Sequence, residues 1–293
     1  IGRWVLWLVF AFLSIAFLAN LAAYVSGAGE ILAGMTGLDP RLAELLVYLV
    51  SAGVVFFGLK AVGIAERLGV LVLFCLVLIL GSGAIPVEFH LSFGLKGSAS
   101  QWLALYGMVM YALWTFYSVP QVVKGLGDDQ RGAVRAILTG LAINGVLTAI
   151  VALIALGVSR EVSEVAILGI AERLGPWASM IGSLLILFAL ITSYWSVSLA
   201  LADILRERTG IAARMAWLVA TLPSLLILWV GVWQFLEWLR LAAGATALVV
   251  ALITIPMYRQ AQKDSPVCNP GWTLGRWGKP AIQMLVLLSL VLM

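Results

Sequence analysis

Thr192, Ser193, Tyr194, Trp195, Ser196 and Ser198 crowd into one stretch of a chain that is poor in polar side chains. Nothing around them is charged, because residues 174–202 hold no Asp, Glu, Lys or Arg. Hydroxyls in such a setting have two uses. They bond back to the helix carbonyl four residues earlier, or they face a cavity, where they can ligate a cation or hydrogen-bond a solute. A second cluster, Tyr111, Trp114, Thr115, Phe116 and Tyr117, leads up to Pro120 inside another charge-free interval, 97–123. Pro120 has no backbone N–H and disfavours helix at Val119. The segment predicts a broken helix of the kind tolerated at membrane depth where backbone lines a cavity. The plainer alternative is a proline kink with interfacial aromatics. A third apolar stretch, 4–29, carries Asn20, Tyr24, Ser26 and Gly27 toward its end.

Other chemistries are poorly supported. Gly125-Leu-Gly-Asp128 spells the Gly-x-Gly-Asp of intramembrane aspartyl proteases, but that reaction needs two aspartates sharing a proton. The partner aspartate in those proteases follows a tyrosine, and this chain contains no Tyr-Asp pair. Zinc-protease, Walker A and Gly-x-Ser-x-Gly patterns are absent from the sequence. A single histidine, His90, argues against a His-rich metal site, and two cysteines, Cys75 and Cys268, argue against a disulfide scaffold. No metal site and no nucleic-acid partner are expected; the net charge of +4 fits cytoplasmic loops better.

The elements that must position these clusters are membrane helices. The chain is 63% hydrophobic and 11% charged over 293 residues, against roughly 25% charged in soluble domains. Its charged side chains are too few to cover a soluble particle. Continuous apolar runs without period-2 alternation favour helices over barrel strands. Nine spans are expected, at 4–29, 42–62, 68–87, 97–123, 136–159, 174–202, 215–236, 241–258 and 280–293. With the N-terminal end cytoplasmic, thirteen of the 18 Lys and Arg residues fall inside and five outside, which is the positive-inside pattern. The loop at 126–134 is then cytoplasmic and the loop at 86–98 external, and no disulfide is expected between Cys75 and Cys268.

Trp114-Thr-Phe-Tyr-Ser-Val-Pro120, Asp128-Asp-Gln-Arg-Gly-Ala-Val-Arg-Ala-Ile-Leu-Thr-Gly140 and Ile191-Thr-Ser-Tyr-Trp-Ser-Val-Ser-Leu-Ala-Leu-Ala-Asp203 resemble the sixth to eighth helices of bacterial and archaeal amino acid permeases. The chain is most similar to the amino acid/auxin and aromatic amino acid permease groups of the amino acid-polyamine-organocation superfamily. The resemblance implies an all-α membrane protein of the LeuT-type five-plus-five inverted-repeat fold, with nine spans equivalent to helices 3–11. Residues 1–96 would close the first repeat, 97–258 would form the second, and 259–293 would add a loop and a further helix. The first two helices would then precede Ile1, so the chain is expected to be cut at both ends.

The resemblance also implies a function: secondary active transport of an amino acid, aromatic or large neutral, across a prokaryotic plasma membrane. The protein would be a symporter without enzymatic activity and without a cofactor other than Na+ or H+ as coupling ion. The alternative is a nutrient or germinant sensor on the same scaffold that binds without transporting. Substrate would lie among Tyr24, Tyr111, Trp114, Thr115, Phe116, Tyr117 and Tyr194, and the ion near Thr192, Ser193 and Ser196. Two departures stand out. Trp114 and Thr115 occupy positions where the family usually has small residues, and the span 68–87 lacks the lysine that replaces a bound sodium in some relatives. The expected partners are therefore an amino acid and the lipid bilayer, with the oligomeric state open.

Overall fold

The computed structural model describes residues 3–84, 97–158, 170, 173–231, 235–263 and 275–291. His90, Cys268 and the connection 85–96 lie outside the described residues. Ten helices make up most of the described chain: α1 (Arg3–Thr36), α2 (Pro40–Phe56), α3 (Leu59–Ala84), α4 (Ala99–Ala112), α5 (Val119–Leu126), α6 (Gln130–Val158), α7 (Pro176–Thr209), α8 (Ala213–Trp229), α9 (Phe235–Lys263) and α10 (Pro280–Val291). One-turn 3-10 segments lie at Phe116–Ser118 and Gly275–Gly278. Among the described residues, four helices are long and apolar enough to cross a membrane: Leu6–Thr36, Leu59–Ala84, Gln130–Val158 and Pro176–Thr209.

Among the described residues the charge-free intervals fall mainly on helices, but 97–123 is divided between α4 and α5, and one further boundary differs from expectation. Leu42–Val62 does not form a single span. The chain turns at Phe57–Gly58, where Gly58 takes a φ of +79°, a backbone conformation that costs glycine nothing. The Gly58 N–H still donates to the Val55 carbonyl at 2.9 Å. Lys60, Glu66 and Arg67 therefore ride on α3, inside the helix rather than in a loop before it.

Local chemistry sets the other ends. Asp39 caps α2, its carboxylate accepting from the Arg41 and Leu42 N–H groups at 3.0 and 3.2 Å, and Pro40 fills the first turn. Ser98 and Gln101 cap α4 reciprocally. Asp129 accepts from the Gly132 N–H at 2.8 Å at the start of α6. Gly175 and Gly210, with φ of +91° and +70°, bracket α7.

The core gathers on α1. It packs against α2, α7, α8 and α9, and its Phe17, Leu21 and Val25 meet Tyr48, Tyr194, Leu201 and Ala220 in one buried cluster. Small residues Ala19, Ala22 and Ala23 let α9 approach through Trp238 and Ala242. A second cluster joins the ends of α3 and α6 to the start of α7 through Leu80, Ile154 and Ala178. Elsewhere apolar side chains face outward. On α6, Leu138, Ile143, Val146, Ile150 and Leu153 are all exposed, a face that suits hydrocarbon and not water.

Two segments match in length. α1 and α7 are each 34 residues, α2 and α8 each 17. Three residues join each pair, 37–39 and 210–212.

Candidate binding cavity at a broken helix

The segment Tyr111–Pro120 is broken. α4 stops at Ala112, and the next N–H groups tighten the turn: Leu113 donates to Val109 at 3.1 Å and Trp114 to Tyr111 at 3.0 Å. A side chain then stands in for lost backbone pairing, as Asn144 Nδ2 of α6 donates to the Ala112 carbonyl at 2.8 Å. A 3-10 turn follows, closed by the Ser118 N–H on the Thr115 carbonyl at 3.1 Å. Pro120 sits in the first turn of α5, where its missing N–H costs little. The break thus lies at Leu113–Thr115, one turn ahead of the proline.

A cavity of about 310 Å³ opens beside the break. α1 contributes Tyr24. The end of α4 and the break contribute Tyr111, Trp114 and Ser118. α7 contributes Ser193 and Ser196, and Leu239 of α9 closes one side. Five of the residues expected from sequence, Tyr24, Tyr111, Trp114, Ser193 and Ser196, therefore share one wall system. Tyr111 is fixed by its hydroxyl, which donates to Asn20 Oδ1 at 2.9 Å, and Asn20 is fully buried on α1. The indole N–H of Trp114 is buried without a hydrogen-bond partner among the described residues, a donor left unspent at the cavity's edge.

The other expected residues lie elsewhere. Thr115 and Phe116 belong to the break but not to the lining; the Phe116 ring meets Trp114 edge-on at 6.4 Å. Tyr117 is in the 3-10 turn, and its side chain is outside the described residues. Tyr194 is buried in the main core, facing Ser224 and Tyr48, although its hydroxyl makes no hydrogen bond of ordinary geometry among the described residues. Thr192 turns toward α3. Its hydroxyl donates to the Ala189 carbonyl at 3.0 Å, and its methyl occupies the space a Cβ on Gly69 would need. Ser198 bonds back to the Tyr194 carbonyl at 2.6 Å, the structural use of a helical hydroxyl. Ser193 makes no hydrogen bond among the described residues, so its hydroxyl is available to the cavity it lines.

Ser196 is held differently, by two residues that sequence reasoning missed. Its hydroxyl donates to Glu66 Oε1 of α3, and its carbonyl accepts from Gln121 Nε2 of α5 at 2.7 Å. Farther along the same two helices, Lys124 Nζ and Asp203 Oδ2 pair at 3.0 Å. Asp128 is exposed in the turn between α5 and α6. No group of three or more His, Cys, Asp or Glu gathers to hold a metal ion among the described residues.

The model of the tryptophan/tyrosine permease family matches residues 1–293. The chain belongs to the tryptophan/tyrosine permease family. This makes it a membrane permease for amino acid transport and not an enzyme, and the exposed apolar side chains of α6 and the long apolar helices agree. No curated protein matches the chain. In this permease the exposed Asp128 and Asp129 are turn and cap residues: the Asp128 carbonyl accepts from the Gln130 N–H at 2.9 Å, and Asp129 caps α6.

Proposed function

We propose that this permease moves an aromatic amino acid across the plasma membrane by alternating access, driven by an ion gradient, and binds it in the cavity beside the Leu113–Thr115 break. The observation that carries the reading is the composition of that cavity: three aromatic rings, three serine hydroxyls and a helix break around about 310 Å³. That volume is at the small end of ligand pockets, which run roughly 300–1,000 Å³. Tyr24, Tyr111 and Trp114 offer ring faces and edges to an indole or phenol, each well-placed pair adding about 0.5–1.5 kcal/mol. The zwitterion needs donors for its carboxylate and acceptors for its ammonium. Two opposed helix ends supply N–H groups on one side and C=O groups on the other. Ser193 and Ser196 are the candidate ligands for a coupling ion, with Thr192 at the edge of that region.

The LeuT-type inverted repeat finds support in the matched lengths of α1–α2 and α7–α8, which would be equivalent elements of the two halves. On that reading 97–258 is the complete second repeat, the kinship is with the amino acid-polyamine-organocation superfamily, and the N-terminal end faces the cytoplasm. The test is uptake of labelled tryptophan, tyrosine and leucine into proteoliposomes, with wild type and Trp114→Ala. Expected are competition by aromatic amino acids and a changed preference in Trp114→Ala. Unchanged relative affinities in that variant, measured per folded protein, would reduce the aromatic wall to helix packing. Saturable binding without uptake would instead identify a sensor.

A further inference from the structure

Glu66, bonded to a residue of the cavity wall, is left without a role in the reading above. It is half-buried on α3, inside a helix long and apolar enough to cross the membrane. A carboxyl there is costly and needs a reason. It pairs with no cation among the described residues; what it holds is the Ser196 hydroxyl. Ser196 is also a wall of the cavity.

The charged groups on the surrounding elements are accounted for. Lys60 and Arg67 on α3 itself are exposed, and Arg67, adjacent in sequence, points to a different side of the helix. On α7, Asp203 is two turns past Ser196 and is engaged with Lys124 of α5; Arg206 follows one turn later. Arg41 and Glu44 lie near the start of α2, far along that helix from the Phe57–Gly58 turn into α3. Arg131 and Arg135 open α6, which meets α3 at the opposite end, through Ile154 and Leu80.

From this arrangement we infer that Glu66 binds the proton that drives transport, and that Ser196 reports its protonation to the substrate. The inference rests on the transport reading above. A serine hydroxyl has one proton to give and two lone pairs to accept with. While Glu66 is ionised, the Ser196 proton is committed to the carboxylate, and the cavity meets only hydroxyl lone pairs. When Glu66 takes up a proton, its own O–H donates to Ser196 Oγ. The Ser196 proton is then released to point into the cavity, where an amino acid carboxylate accepts it. The balance is simple: one proton enters from solution, no covalent bond changes, and one hydrogen bond reverses direction. A proton on Glu66 and a substrate carboxylate at Ser196 therefore favour each other, and linkage makes that preference mutual. Gln121, bonded to the carbonyl of the same residue, brings the half-helix α5 to the point where both are sensed.

The experiment compares three variants in proteoliposomes with labelled tryptophan: wild type, Glu66→Gln and Ser196→Ala. Each is assayed for accumulation under an acid-outside pH gradient, accumulation under a sodium gradient, and counterflow without any gradient. Wild type is expected to accumulate tryptophan under the pH gradient. Glu66→Gln should lose that accumulation by about tenfold or more, inside the 5- to 150-fold range of typical coupling, yet keep counterflow, because Glu66 does not line the cavity. Ser196→Ala leaves Glu66 in place and keeps the carbonyl that Gln121 uses. It should lose pH-driven accumulation too, and it carries the test alone if Glu66→Gln does not fold. Wild-type accumulation driven by sodium and indifferent to pH would overturn the inference, as would full pH-driven accumulation in either variant. Absence of both uptake and counterflow in wild type would sink the transport reading itself, a result distinct from an uncoupled variant.

Discussion

Replacing Tyr111 by phenylalanine removes one oxygen from the cavity wall, and the cost follows from what that oxygen touches. The hydroxyl donates at 2.9 Å to Asn20 Oδ1, and Asn20 is 0% exposed. Tyr111→Phe therefore takes a donor from a polar atom that water cannot reach. Removing a donor from a buried acceptor costs up to about 1–3 kcal/mol, while interhelical hydrogen bonds in a membrane protein average about 0.6 and reach about 1.7 kcal/mol in double-mutant cycles. A loss of roughly 1–2 kcal/mol satisfies both ranges. Asn20→Leu should cost a similar amount by removing the same bond from its other side. The double variant should cost less than the two together, because replacing both partners by apolar groups of like shape is close to neutral. Unfolding by SDS in mixed micelles, followed by the fluorescence of the 12 tryptophans, measures all four corners of the cycle. Binding measured on the same samples should weaken with Tyr111→Phe, tenfold for every 1.4 kcal/mol, since the ring loses its tether. If the single costs add in the double variant to within about 0.3 kcal/mol, the bond does not hold the wall and the argument fails.

Gly69→Val should destabilise by about 1–3 kcal/mol through overpacking, because even a Cβ there would sit 2.5 Å from Thr192 Cγ2; recovery of thermal stability in Gly69→Val/Thr192→Ser would confirm the clash, and a neutral Gly69→Val would deny it. Thr192→Val gives up only the hydroxyl that reaches Ala189, so ion dependence of uptake should persist; its loss would return Thr192 to the ion site. Lys124→Met breaks a pair whose lysine is half exposed, and stability in low-salt micelles should change by about 1 kcal/mol or less; a larger loss, insensitive to salt, would mean the pair is buried in the working protein.

Helix existence was readable from charge, and helix limits were not. Among the described residues, intervals free of Asp, Glu, Lys and Arg fall mainly on helices, with the break inside 97–123 as the exception, because stretches that suit lipid exclude those residues. The same rule put Glu66 between two spans, in a cytoplasmic loop ahead of residue 68. The structure starts α3 at Leu59 because Gly58 can turn the chain there, and Glu66 then follows buried Val62 by one turn and precedes buried Gly69 by three residues. That stripe, at the i, i+4, i+7 positions of one helical face, was the available signal. The run from Thr192 to Ser198 was legible as unusual but not as oriented. At about 100° per residue it wraps around α7. Ser193 and Ser196 reach the cavity, Tyr194 and Ser198 the core, and Thr192 the α3 side. Which face looks where depends on neighbours distant in sequence. The break was placed near Trp114 and Thr115 by resemblance, and its repair by Asn144 of α6 has no local sequence mark.

The two close approaches of α3 to α7 bear on how such a machine is divided into frame and moving part. A Cβ on Gly69 would strike Thr192, and one on Gly83 would strike the Trp177 ring at 2.2 Å. The two glycines are fourteen residues apart, roughly 21 Å along the axis. Two rivets that far apart stop a pair of rods from both swivelling and sliding, so α3 and α7 must travel as one beam. Ser196 and Glu66 ride on that beam within one turn of the Gly69–Thr192 contact, just beyond it, and their mutual distance is insulated from whatever opens and closes around them. Across from it stands α5, eight residues long, tied to the beam by one side-chain amide and one exposed ion pair. Its upstream end hangs from a segment that has already given up its helical bonds. On the transport reading proposed above, the stiff member would keep the measuring distance and the short one would supply the stroke, which is the economy of a balance, where the knife-edge stays still so that the pan can move.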